Sequence, residues 1–248
     1  MTILPLDSTL MTPQTFTIDG KTLTLLSTPG HTPGTFSGVV PVTQAGKSYK
    51  LAFWGGTGMP NVLADAQQYL DGTERLWALA KAQDVDGTFH AHPFVDGSLQ
   101  KIDAIRANPS AANPFLIGNA AAMRSYSMLR ECAAVKVAQL DSTAKITPWR
   151  FTTTEITDLN QAPQDGTHDW VAVAARVAQP FAVIPNAQVR FEVAGNSAEG
   201  CTATTDATGV ASCRFVAGKR AGRMVKASFA GASSSDAVDL ASDSKVSF

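Results

Sequence analysis

The hydrophobic pattern of this chain changes period once, near residue 145, and that change limits the fold more than any other feature. Before it, segments alternating every second residue are interspersed with segments repeating every three or four. After it only the two-residue period remains. VAVAARV, AQVRFEVAG, CTATTDATG, VASCRFVAG and MVKASFAG are short alternating runs bounded by Gly, Asp and Asn. The pattern predicts an α/β unit over residues 1–142, a polar linker over 143–168 in which RFTTTEI is a candidate strand, and an all-β sandwich over 169–248.

Within the first unit, FTIDGKTLTLL reads as a hairpin turning at Asp19-Gly20, and TFSGVVPV with KSYKLAFW as a second pair turning at Gln44-Ala45-Gly46. Over 65–83 the period becomes helical, with Ala66, Tyr69, Leu70, Leu76, Trp77 and Ala80 on one face. GTFHAHPF is expected to be a strand, followed by a helix over 98–107 that turns Leu99, Ile102 and Ile105 inward. Asn119 is the expected N-cap of a long helix reaching Leu140.

Composition excludes several classes of function. A net charge of −1 gives no electrostatic attraction to nucleic acid or to an anionic membrane surface. No apolar run approaches the roughly 20 residues needed to span a bilayer, and MTILPLDSTLMTPQ shows no signal-peptide pattern. With 44% hydrophobic and 17% charged residues the chain is globular.

Three cysteines contain no Cys-x-x-Cys pair, which removes a thiolate zinc knuckle. Cys201 and Cys213 flank the turn TTDATG on neighbouring strands. Either they are bridged, closing a short loop worth about 3 kcal/mol, or they are two reduced, half-buried thiols. A bridge would place the domain in an oxidising compartment.

The stretch STPGHTPGTFSG, residues 27–38, is built to aim one imidazole. Pro29 and Pro33 fix two φ angles, and Gly30 and Gly34 admit backbone conformations that other residues avoid. Such a loop suits a metal ligand; it also suits a plain structural turn whose histidine bonds a carbonyl. Further on, His90 and His92 are spaced to share one face of a strand.

T-P-G-H-T-P-G after the strand LTLLS is similar to the third metal-binding motif of the metallo-β-lactamase superfamily. FHAHPFVDGSLQKIDAIRA resembles its last ligand segment, and NPFLIGNAAAMRSYSMLREC its C-terminal helix in the branch nearest the third β-lactamase subclass. The resemblance spans residues 12–140 and implies half of the family's αβ/βα sandwich. It implies His31 and His92 as zinc ligands, with His90 the weaker match. It supplies no catalytic side chain and no organic-cofactor residue.

What is missing matters as much. The family's His-x-His-x-Asp-His motif is absent, and Gly55-Gly56 stands where the family often has Gly-Asp. His31 and His92 would serve different metals, so the chain offers one ligand to each of two zinc ions. A catalytic zinc usually takes three protein ligands and a water. Alone, the chain is therefore expected to bind zinc weakly or not at all.

Three accounts compete. The chain is the second half of a longer hydrolase, with Met1 internal; a partner chain supplies the rest; or the protein is non-catalytic with a degenerate metal site. In the first two, completed sites would hold one or two zinc ions and hydrolyse a small-molecule ester, amide, thioester or lactam with zinc-bound hydroxide. A sheet face bearing Leu25, Val39, Leu51 and Phe53 would lack its partner sheet, so residues 1–142 alone are expected to aggregate, to homodimerise through that face or to stay loosely packed. Trp54 and Phe94 are expected in the core rather than in a pocket.

The last 80 residues resemble bacterial immunoglobulin-like modules, notably NAQVRFEVAG with CTATTDATGVASCRF. That resemblance implies a spacer or adhesion unit, and a periplasmic or secreted location. The alternative to a hydrolase is thus a secreted or cell-surface binding or structural protein.

Overall fold

The computed structural model describes residues 11–219 and 222–248. Met1, and with it the reading of Met1 as an internal methionine, lies outside the described residues. The chain divides into two compact units, Met1–Ile146 and Thr147–Phe248.

In the first unit, strands β1 (Gln14–Ile18) and β2 (Lys21–Ser27) form an antiparallel hairpin. Asp19 and Gly20 both have positive φ, the two-residue turn whose twist matches that of the strands. Strands β3 (Phe36–Gln44) and β4 (Lys47–Trp54) repeat the device with Ala45 and Gly46. Helix α1 (Leu63–Ala82) then carries the chain back, so that β5 (Gly87–His90) pairs parallel to β4. The five-stranded sheet has the order β1-β2-β3-β4-β5. Helices α2 (Pro93–Asp96), α3 (Ser98–Ala107) and α4 (Asn119–Leu140) follow.

One face of this sheet, carrying Leu26, Val39, Ala52 and Trp54, packs against α1 and α4. Alanines on α4 (Ala122, Ala133, Ala134) are buried where the helices meet, and small side chains let them approach closely. Arg130, 4% exposed, bonds Glu74 across the helix pair at 2.8–2.9 Å and Glu131 at 2.7 Å. Its charge is buried but compensated, as a buried guanidinium requires.

Several expectations need correction. The strand expected over GTFHAHPF stops at His90, because Pro93 has no N–H for a ladder and its fixed φ starts a helical turn. Gly118, not Asn119, occupies the N-cap of α4; the Asn119 amide instead donates to the Val85 carbonyl. On α3, Leu99 is 58% exposed and Ile102 36%, with only Ile105 half-buried, so this helix does not turn its apolar residues inward. Trp54 is core at 1% exposure, whereas Phe94 is 78% exposed. Val39 lies on the helix-covered face, not on the opposite one. On that opposite face Leu51 and Phe53 are already buried, Phe53 stacking on Phe89 at 5.3 Å.

The second unit is all-β among its described residues. Its strands are β6 (Trp149–Arg150), β7 (Thr153–Pro163), β8 (His168–Gln179), β9 (Ala182–Val183), β10 (Gln188–Val193) and β11 (Asn196–Thr204). Strands β12 (Val210–Gly218), β13 (Met224–Phe229), β14 (Ala232–Ser233), β15 (Val238–Asp239) and β16 (Ser242–Ser247) complete it. One sheet runs β11-β10-β13-β16 and another β12-β8-β7, with β9 on β8; β14-β15-β6 form a small third sheet. Val171, Val177, Val189, Phe191 and Val225 fill the core that the two larger sheets share.

The segment read as a linker contains β6 and β7, so most of it is sheet; the candidate strand at RFTTTEI is real but runs on to Pro163. Its polar composition reflects a half-exposed strand: Thr154 is buried while Asp158 and Asn160 face water. Cys201 and Cys213 are disulfide-bonded. Their strands follow each other in sequence but lie in opposite sheets, so the bridge ties sheet to sheet.

Asp165 caps the turn between β7 and β8, accepting from the Thr167 amide at 2.6 Å, the Thr167 hydroxyl at 2.9 Å and the His168 amide at 2.7 Å. These donors hold its carboxyl down at about 2, from 3.8. A depressed carboxyl contributes stability above its unfolded value and loses it as pH falls through its folded value. Thermal unfolding of the second unit should therefore become more acid-sensitive between about pH 4 and pH 2 in the wild type than in Asp165→Asn. Superimposable acid limbs would refute this.

Candidate metal centre

The loop after β2 is closed at its base by the Thr28 amide bonding the Thr35 carbonyl at 2.9 Å, and by the Thr28 and Ser37 hydroxyls at 2.8 Å. Only one of its glycines needs to be glycine. Gly30 has φ +129°, and a Cβ there would lie 2.6–2.7 Å from backbone atoms of Tyr69 and Asp65 on α1. Gly34 has open space and no positive φ, contrary to the expectation for it.

His31 is thereby held against the segment Gly55–Gly58. Its Nδ1 lies 2.9 Å from the Gly58 carbonyl oxygen. A carbonyl only accepts, so Nδ1 carries a proton, and in the neutral ring Nε2 keeps its lone pair. This is the tautomer a metal-ligating histidine adopts when its second nitrogen is anchored by a carbonyl. A Cβ at Gly56 would fall 2.4 Å from His31 Cβ, so with His31 in this place an aspartate has no room there.

Strand β5 brings the other two imidazoles to the same end of the sheet. The His31 and His92 rings are 5.6 Å apart, edge to face, and His90 and His92 are 5.7 Å apart. His92 is not on the strand; it is the N-cap residue of α2, and its Nδ1 is buried without a hydrogen-bond partner among the described residues. His90 Nδ1 accepts from the His92 amide at 3.0 Å. In its neutral form the His90 proton therefore sits on Nε2, leaving no nitrogen for a metal. Burial holds the His90 pKa below the usual imidazole value, and neighbouring His92 adds to this against the opposing pull of Asp96.

These residues do not make a complete zinc site. His31 presents a lone pair and His92 has an unpartnered nitrogen close by, but no group of three or more His, Cys, Asp or Glu side chains able to hold a metal occurs among the described residues. A backbone carbonyl as the partner of His31 was expected on either reading of the loop; that it belongs to Gly58 was not, and the glycine-rich run GGTG after an apolar strand was its signal.

No family model matches the chain, and no curated protein matches it. Solved structures do. A subclass B3 metallo-β-lactamase of Bradyrhizobium japonicum is similar at 25% identity over 53% of this chain and 50% of its own, with a TM-score of 0.38. A metallo-β-lactamase of Legionella gormanii is similar at 18% identity over 53% and 50%, with a TM-score of 0.41. One of Cronobacter sakazakii is similar at 23% over 53% and 47%, with a TM-score of 0.38. The chain spans about half the length of these structures.

No helix of the described residues is long and apolar enough to cross a membrane.

Proposed function

We propose that the first unit is one half of a zinc-dependent hydrolase of the metallo-β-lactamase superfamily, and that the chain by itself is inactive. The observation that carries this reading is the anchoring of His31 through Nδ1 to the Gly58 carbonyl, which leaves Nε2 free beside His92. His31 and His92 each give one imidazole. The other ligands come from a His-x-His-x-Asp-His segment outside these 248 residues, in the same polypeptide or in a partner. The substrate of the completed enzyme is a small ester, amide, thioester or lactam.

The second unit is, on this reading, an appended immunoglobulin-like module, and its disulfide supports a periplasmic or secreted location. Phe36, 39% exposed at the start of β3 on the face opposite the helices, supports pairing of that end of the face with the missing half or with a second copy of the chain. A second reading, a non-catalytic secreted or surface protein with a degenerate site, is favoured by the lack of a third ligand among the described residues.

Imidazole nitrogen NMR of the whole chain tests the proposal. His31 should show an Nδ1–H tautomer and His90 an Nε2–H tautomer, with zinc at high micromolar to millimolar concentration shifting His31 Nε2 and His92 together. His31→Ala and His92→Ala should each abolish the response, and His90→Ala should not. An Nε2–H tautomer at His31, or a response confined to His168, would overturn it. Reading the coding sequence upstream of Met1 for the missing motif then separates one polypeptide from two.

A further inference from the structure

Behind the histidines, a cavity of about 400 Å³ opens between the ends of β4 and β5 and the helices α1, α2 and α4. Trp54 and His90 line it from the sheet, Tyr69 from α1, Asp96 from α2 and Tyr126 from α4. Its size and largely apolar walls, in which Trp54, Tyr69, Phe89 and Tyr126 take part, are those of a small-molecule site.

Most polar groups around it are already engaged. The Trp54 indole N–H donates to the Tyr69 hydroxyl at 3.0 Å, which in turn donates to the Gly56 carbonyl at 3.2 Å. Asp96 Oδ1 accepts from the Ser98 amide and hydroxyl at 3.0 and 2.5 Å. Two atoms are left over. The Tyr126 hydroxyl, on a side chain only 5% exposed, and Asp96 Oδ2 are both buried with no hydrogen-bond partner among the described residues. Lys101 Nζ stands 3.8 Å from that oxygen, an ion-pair distance rather than a hydrogen bond. Buried polar groups are ordinarily satisfied, and two atoms without a hydrogen bond, lining one cavity from different helices, call for a shared partner.

The charges restrict what that partner is. An anion would meet the Asp96 carboxylate, and a cation would compete with Lys101 for it. Burial raises the Tyr126 pKa, with the Asp96 charge reinforcing it, so the phenol remains a donor. We propose that this cavity binds a small, uncharged, mostly apolar molecule carrying one hydroxyl, which donates to Asp96 Oδ2 and accepts from the Tyr126 hydroxyl. The site stands whether or not a metal binds in front of it.

The test uses the whole chain with 2-naphthol as probe and naphthalene as the matched molecule lacking the hydroxyl. Ligand-observed NMR titration should show saturable one-to-one binding of 2-naphthol, at least about tenfold tighter than naphthalene. Tyr126→Phe and Asp96→Asn should each remove that preference. Tyr126→Phe deletes only an unpartnered buried hydroxyl, so its melting temperature should equal or exceed that of the wild type. Asp96→Asn keeps an oxygen for Ser98 and guards against a folding artefact. Absence of saturable 2-naphthol binding, or equal affinity for the two probes in the wild type, would overturn the proposal. So would a preference that survives both substitutions.

Discussion

Replacing both Cys201 and Cys213 by alanine is expected to lower the stability of the second unit by about 3 kcal/mol. The bridge closes a separation of 12 residues, and the chain-entropy cost of opening such a loop is of that size. Its placement argues against a smaller effect. Strands β11 and β12 are each the outer strand of their sheet, so hydrogen-bonded neighbours hold each on one side only. The disulfide is their covalent tie across the core. For a unit of this length the loss corresponds to a fall in melting temperature of about 12–24 °C. Circular dichroism melts of the full chain with and without reductant would show it. A change of only a degree or two would mean that the shared core alone holds the sheets together.

The second large effect is expected at Gly30. Alanine there would have to occupy a φ of +129° and place its Cβ within 2.7 Å of the α1 backbone. Backbone strain and overpacking each cost about 1–3 kcal/mol, and neither can relax without moving a helix. Gly30→Ala should therefore destabilise the first unit by about 3 kcal/mol or more and displace His31 from the Gly58 carbonyl. Gly34→Ala, in open space four residues along the same motif, should be nearly silent. Chemical denaturation of the two variants, with the His31 tautomer read by NMR, makes the comparison. Equal stability of the two would show that the loop's glycines are interchangeable and that its aim at the sheet end is not enforced by α1.

Both hairpins were legible in the sequence, because turn chemistry is a local property: Asp19-Gly20 and Ala45-Gly46 adopt the positive φ that their positions demand. The sequence also singled out His31 and His92, which lie 61 positions apart by number and meet only through the β4–β5 pairing. What escaped was whatever depends on partners distant in sequence. The extended reading of FHAHPF missed the helical turn that Pro93 imposes, and with it the placement of Asp96 beside Tyr126. The assignment of Leu99 and Ile102 to a core failed because periodicity reports an apolar stripe but not whether anything covers it. The polar β7 looked like a linker because a strand with one wet face offers few apolar residues to count. The cysteines were placed on neighbouring strands, yet sequence adjacency does not tell whether two strands hydrogen-bond or face each other.

The parallel pairing of β4 with β5, the single one among the described residues of the first unit, has a kinetic meaning. Strands β1 to β4 close through successive antiparallel contacts, two of them across two-residue turns. Strand β5 reaches β4 only by way of the whole of α1, a long-range closure that is entropically slower than a hairpin. Because His31 stands on one side of that closure and His92 on the other, their encounter cannot precede it. The spacing of these two rings is thus a built-in marker for completion of folding, and a probe of their proximity would date the crossover during refolding.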